Sequence, residues 1–208
     1  MAVICFDFDG TLADTLSLEE KYYLPALKNH GVTIFQDIFM LKEACHENYY
    51  AFCEKHGISE EILLAAAEEY KAELAKNKVA VSLFDGISEL LLSLLRKHNV
   101  YIVSLNESCF IENLLADLGI VGFCGIIGRD EAKDKRESLR MLQKRHEGES
   151  FYFVSDVVGD MVEAADAEVP HILAVSYGWG TKEDLLASAA EIVFDTVAEL
   201  GSYLETIE

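Results

Sequence analysis

The chain has 208 residues, 51% of them hydrophobic, and a formal net charge of −20. That length suits one large domain, or a core domain carrying a small insertion, and the apolar share argues against disorder. The acidic balance excludes nucleic acid and anionic membrane as partners, because both need basic patches, and no apolar run approaches a membrane span.

In chain order, Ala2–Phe6 is a short apolar run rich in β-branched and aromatic residues. Apolar on both faces, it reads as a central strand of a parallel sheet. It ends at Asp7-Phe8-Asp9-Gly10-Thr11, where Asp9-Gly10 turns the chain. Residues 15–80 have a different texture. Leu16, Leu18, Tyr22, Tyr23 and Leu27, then Ile38 and Leu41, then Ile62, Leu63, Ala66, Tyr70 and Leu74 recur at helical spacing. This stretch is expected to be a small all-helical insertion.

From Phe84 onward, helices and strands alternate. Ile87–Leu95 is expected helical and Val100–Val103 a strand; Phe110–Leu118 is helical, with a short strand ahead of Gly125–Gly128. Leu139–Lys144 is helical and Phe151–Val154 a strand; Met161–Ala167 is helical and His171–Val175 a strand. Lys182–Ser188 is helical, Ile192–Phe194 a strand, and Val197–Leu204 a closing helix. Such alternation implies an α/β fold, a doubly wound parallel sheet with helices on both faces. Ligands of these folds bind beyond the carboxyl ends of the strands. Asp7 and Asp9 follow the first strand, Ser104, Asn106 and Ser108 the second, and Asp156 and Asp160 follow Phe151–Val154.

Asp7 and Asp9 sit two residues apart, so at strand spacing they point the same way. Two such carboxylates repel unless a cation or a shared proton intervenes. Magnesium favours oxygen ligands of this kind. An acid pair also suits covalent phosphoryl transfer, one acid attacking phosphorus and the other moving protons. Asp156 suits metal ligation, while Asp160 serves equally as a metal support or a helix cap. Ser104 suits a phosphate oxygen or a turn. The five cysteines, Cys5, Cys45, Cys53, Cys109 and Cys124, show no metal-site spacing and are expected to be buried free thiols. With no basic leader ahead of Ala2, the expected location is the cytoplasm.

These pieces, in this order, resemble the haloacid dehalogenase superfamily of phosphohydrolases. Asp7-Phe8-Asp9-Gly10-Thr11-Leu12 matches its first motif without a gap, and Ser104 looks like its second. Lys135 or Lys133 looks like the third-motif lysine; Lys135 is preferred because Leu139 and Leu142 follow it by four and seven residues. Ser155-Asp156 with Gly159-Asp160 looks like the fourth motif, and Val175–Gly180 resembles the phosphoglycolate phosphatase-like branch. Leu105 directly after Ser104, and Ser155 before Asp156, depart from the usual pattern.

The resemblance implies a core of residues 1–14 and 81–208, with 15–80 as a helical cap. It implies Asp7 as nucleophile, Asp9 as general acid and base, and Mg2+ held by Asp7, the Asp9 carbonyl and Asp156, with Asp160 in support. Thr11, Ser104, Leu105, Asn106 and the lysine are implied around the phosphate. The substrate would be a small phosphate ester, and the protein a monomer or homodimer. A phosphomutase of the same superfamily is the alternative enzyme, and a non-catalytic binding protein on this fold the alternative class. Tyr22, Tyr23, Lys21 and His46 are candidates for the cleft.

Overall fold

A four-residue strand, Val3–Phe6 (β1), lies at the centre of the computed structural model, which describes residues 1–207. β1 pairs in parallel with Asn99–Val103 (β2) on one side and Phe151–Ser155 (β4) on the other. Gly125–Ile127 (β3) extends the sheet beyond β2, and His171–Val175 (β5) and Ile192–Phe194 (β6) extend it beyond β4. The order β3-β2-β1-β4-β5-β6 is parallel throughout.

Period-two alternation divides the strand residues between two apolar layers. Ala2, Ile4 and Phe6 join one, with Ile87 and Leu91; Val3 and Cys5 join the other, with Leu139 and Met161. Ile87–Leu94 (the later α6) and Val197–Leu204 (α11) therefore cover the first face. Lys135–Arg145 (α8) and Val158–Asp166 (α9) cover the second. Ser108–Asp117 (α7) and Lys182–Leu186 (α10) complete the crossovers. A parallel sheet needs both faces covered, which is why its strands read as continuous apolar runs.

Between β1 and α6 lie only helices among the regular elements. They are Leu16–Leu18 (α1), a π-helical turn Glu19–Tyr23, Leu24–Asn29 (α2), Ile38–Ala44 (α3), Tyr49–Lys55 (α4) and Glu60–Lys76 (α5). Asp37 and Asn48 cap α3 and α4, accepting from Met40 N and Ala51 N. On α5, Leu63, Ala66, Tyr70 and Leu74 form one buried stripe at helical spacing. It packs with Tyr23, Leu27, Phe35 and Leu41 into a third apolar cluster belonging to this stretch. The chain enters and leaves it side by side: Asp14 N donates to Ser82 O at 2.9 Å, and Phe84 N to Leu12 O at 3.0 Å.

Two expectations need correction. The short strand does not precede Gly125 but begins with it: Gly119 and Gly122 take positive φ and interrupt the earlier apolar stretch, and Ile126 and Ile127 pair with β2. The thiols are all free, but only Cys5 and Cys53 are buried; Cys45 is half-buried, and Cys109 and Cys124 are exposed. Cys109 lies in the first turn of α7, where Ile111 and Leu115 take the inward face. Among the described residues, no helix is long and apolar enough to cross a membrane.

Candidate active site

Strand order reverses beside β1, with β2 and β3 laid on one side and β4 to β6 on the other. A crevice opens at such a switch point, and the polar residues meet there. Asp7 N donates to Val154 O at 2.9 Å, extending the ladder one step and setting Asp7 against the end of β4. Lys135, at the start of α8, reaches across: its Nζ donates to Asp7 Oδ1 at 2.6 Å and to Asp160 Oδ2 at 2.5 Å. Ser155 Oγ donates to Asp160 as well. Asp160 therefore does not cap α9, whose N-terminal cap residue is Val157 without a side-chain bond.

Asp156 is fully buried one layer behind. Thr11 Oγ1 donates to its Oδ1 at 2.8 Å, and Trp179 N to its Oδ2 at 2.7 Å. Gly10 is required by this packing. It has φ +78°, and a Cβ on it or on Gly178 would collide with the Asp156 carboxylate. Asp9 is half-buried, and Asn106 Nδ2 donates to its Oδ2 at 3.4 Å. The Asn106 backbone N–H in turn donates to Ser104 Oγ at 3.1 Å, which fixes the turn after β2.

Burial pushes the Asp7 carboxyl well above its usual range; Lys135 opposes that, while Asp160 and Asp156 add to it. Burial likewise raises Asp9, and raises Asp156 to about 7 against the bonds from Trp179 and Thr11. For Lys135, burial disfavours the ammonium, but Asp160 and Asp7 outweigh it and hold the pKa above its ordinary value. Asp7 and Asp156 thus present two buried oxygen donors whose charges repel. Among the described residues, no three His, Cys, Asp or Glu side chains form a ready-made metal site. A donor set of two carboxylates, completed by backbone carbonyl, water and substrate oxygens, suits Mg2+ and not a softer metal.

A family model, that of the haloacid dehalogenase-like hydrolases, matches residues 4–174. The chain belongs to the haloacid dehalogenase-like hydrolase family. Solved structures share the fold over the whole chain. A predicted phosphatase from Clostridium acetobutylicum is 22% identical, with TM-score 0.79 and 99% of each chain covered. A haloacid dehalogenase-like family protein from Streptococcus pneumoniae is 24% identical, with TM-score 0.74 and 98% of each chain covered. A predicted phosphoglycolate phosphatase from Haemophilus somnus is 18% identical, with TM-score 0.71 and 98% of each chain covered. No curated protein matches the chain.

In this haloacid dehalogenase-like hydrolase, a cavity of about 160 Å3 lies between the strand ends and the helical stretch. Asp7, Asp9, Ser104, Leu105, Asn106 and Lys135 line its floor. Two residues anticipated at the phosphate lie elsewhere. Thr11 is wholly buried and its hydroxyl is committed to Asp156. Lys133 is exposed, and its carbonyl accepts from Arg129. One register of α8 decides this, since Asp134 is the helix cap and the chain turns inward only at Lys135. Of the cleft candidates, Tyr23 lines the cavity, whereas Lys21, Tyr22 and His46 do not.

Sequence reasoning missed other polar residues. Glu163, buried on α9, accepts the Lys135 backbone N–H at 2.8 Å and Asn48 Nδ2 at 2.6 Å, linking the helical stretch to the lysine. Glu19, on the π-helical turn, faces the cavity, and burial followed by the nearby Asp9 charge pushes its carboxyl up to about 8. Trp179 lines the same cavity, and its indole N–H is buried without a partner. Trp179 falls inside the Val175–Gly180 stretch already singled out, whereas Glu19 and Glu163 belong to no local motif. The π-turn around Glu19, a feature frequent at functional sites, has no sequence signature.

Proposed function

We propose that this hydrolase is a magnesium-dependent phosphatase that cleaves a small phosphate monoester through an aspartyl-phosphate on Asp7. The observation that carries the reading is the contact of Lys135 with both Asp7 and Asp160 at the floor of a cavity that also exposes Asp9. A cation held against the nucleophile favours its ionised form against burial and receives the negative phosphoryl oxygens.

In the first step, an Asp7 carboxylate oxygen bonds to phosphorus while the bond from phosphorus to the substrate alcohol breaks. Asp9 gives its proton to the departing oxygen. In the second step Asp9 takes a proton from water, the water oxygen bonds to phosphorus, and the bond to Asp7 breaks, releasing inorganic phosphate. Asp9 is suited to carry a proton because burial raises its pKa. Mg2+, held by Asp7, Asp156 and the Asp9 carbonyl with Asp160 in support, would supply charge neutralisation for the phosphoryl group. Thr11 and Trp179 orient Asp156 through their bonds to it. Ser104 and the backbone of Leu105 and Asn106 border the phosphate.

Residues 15–80 act in this reading as a cap over a core of 1–14 and 81–208, excluding water during the reaction. The paired crossings at Asp14–Ser82 and Leu12–Phe84 are the natural hinge. A net charge of −20 is compatible with a phosphate site because Lys135 and the metal make that site locally cationic. The test is release of phosphate from an aryl phosphate with magnesium. Activity is expected to vanish on exhaustive chelation and return with Mg2+; full activity in chelator would overturn the reading.

A further inference from the structure

Opposite Lys135, the cavity wall comes from the helical stretch and has a chemistry unlike the floor. It presents Glu19, Tyr23, Tyr49 and Tyr70. Glu19 is nine-tenths buried, with 9% of its surface exposed. The tyrosine rings are fixed: the Tyr23 and Tyr49 hydroxyls are 3.1 Å apart, and Tyr23 meets Tyr70 edge-on with centroids 5.7 Å apart.

Among the described residues lining the cavity, the only cations are Lys135 and Lys71. Both are already engaged. Lys135 holds Asp7 and Asp160, and Lys71 Nζ lies 2.7 Å from Glu107 and 3.2 Å from Glu68. The other acid on this wall, Glu47, is paired with Lys55. On this wall, that leaves Glu19 as the buried carboxyl without a cation.

This arrangement is selective. A substrate whose alcohol half carries a carboxylate would meet Glu19 and the tyrosines, with no free cation to receive it. Desolvating that carboxylate would be offset only by neutral donors, the tyrosine hydroxyls and the Trp179 indole N–H, with its charge unpaired. An ammonium group would find a carboxylate and tyrosine side chains together, the kind of combination that binds amines in aromatic cages. Small size fits too, because about 160 Å3 falls well below the pockets that take drug-sized ligands.

Building on the phosphatase reading, we propose that the substrate is a phosphate monoester of a small amino alcohol, its ammonium group bound by Glu19 and the Tyr23, Tyr49 and Tyr70 wall. Burial, helped by the Asp9 charge, has raised the Glu19 carboxyl, and a bound ammonium would favour its ionised form. The named phosphoglycolate phosphatase neighbour, at 18% identity, does not carry its substrate over to this wall.

The experiment measures kcat/KM for the magnesium-loaded, full-length protein on phosphoethanolamine and phosphocholine. The comparison substrates are 2-phosphoglycolate and glycerol 3-phosphate, with an aryl phosphate as reference. The ammonium esters should exceed 2-phosphoglycolate by about tenfold or more, the scale of one charge-assisted contact. Glu19→Gln should shrink that ratio, mainly through KM, and Glu19→Lys should move preference toward 2-phosphoglycolate. If the aryl phosphate is hydrolysed while 2-phosphoglycolate or glycerol 3-phosphate matches or exceeds the ammonium esters, the amine assignment is wrong and the phosphatase reading stands. If no ester is hydrolysed, aryl phosphate included, the phosphatase reading fails and takes the assignment with it. Should the Glu19 variants not fold, the wild-type preference decides alone.

Discussion

Asp7 and Glu19 are buried carboxyls lining one cavity, one from the strand ends and one from the helical stretch, and they are held in opposite ways. Asp7 stands at the end of a central strand, bonded through its backbone to β4 and through its side chain to Lys135. Glu19 stands on a π-helical turn among tyrosines, with no cation beside it. Burial raises both, but only Asp7 has a lysine working against the shift. A carboxylate locked to a cation is poised for one reaction. A carboxyl without one is poised for a ligand. In the proposed reading, the floor of the cavity serves chemistry common to many esters, and its wall chooses among them.

The largest effects should come from the floor. Asp7→Asn keeps the shape and loses the nucleophilic oxygen, so turnover of an aryl phosphate should fall to background with no phosphoenzyme in quenched samples analysed by mass spectrometry. Asp9→Asn should lose about 10²–10⁴-fold on substrates whose leaving alcohol needs a proton. With an aryl phosphate, the Asp9 variant should instead accumulate a phosphate adduct on Asp7. An adduct on Asp9, or robust turnover by Asp7→Asn, would dissolve the contrast between the two sides.

Next in size is the lysine. Lys135→Ala removes the cation from Asp7 and Asp160 and should cost about 10²–10³-fold in kcat, as for other groups that stabilise transition-state charge. Lys133→Ala should stay near wild type because that side chain is exposed. Parallel kinetics on the two variants decide; a severe loss at position 133 alone would reverse the assignment.

A smaller effect should arise where floor and wall are joined. Asn48→Ala breaks the 2.6 Å bond to Glu163, whose other oxygen holds the Lys135 backbone. It should lower kcat/KM about tenfold, the scale of one hydrogen bond to a charged group. It also removes the cap of α4, worth about 1 kcal/mol, so melting temperature should fall with it. Glu163→Gln, which leaves α4 capped, should reproduce the kinetic defect with little loss at the cap. A normal kcat/KM in both variants would mean that Lys135 is positioned without help from the helical stretch.

The smallest effect concerns stability against pH in metal-free protein. The Glu19 carboxyl is raised from 4.5 to about 8, so the folded state prefers its protonated form. Its relative stabilisation is therefore complete below the unfolded value and is lost as pH rises through about 8. Wild type should melt a few degrees lower relative to Glu19→Gln at pH 9 than at pH 5. An unchanged difference across that range would show that Glu19 is not buried without a cation in solution.

Much of the floor was legible because strands carry information at short range. Asp7 and Asp9 share a side through the two-residue period, and an apolar run of the β1 type belongs in the middle of a parallel sheet. The acids after β4 follow the same logic. The roles of individual groups were harder to read. Thr11 looked like a phosphate contact, yet its hydroxyl turns to Asp156, because the tight turn at Gly10 packs it inward. Lys133 and Lys135 are equivalent in composition and differ only in which side of the Asp134 cap they occupy.

The wall was not legible in this way. Tyr23, Tyr49 and Tyr70 come from three separate helical segments, and Glu19 lines the cavity from a π-turn. Glu163 meets Asn48 across 115 residues of chain. By itself the sequence determined the parallel sheet, the helical stretch and the acids at the strand ends, because backbone periodicity and turn chemistry act over a few residues. Only the tertiary structure decided which lysine meets Asp7, what Thr11 holds, and that one buried carboxyl faces the tyrosines without a cation. Those outcomes depend on packing between segments distant in the chain, where no local period constrains the partner.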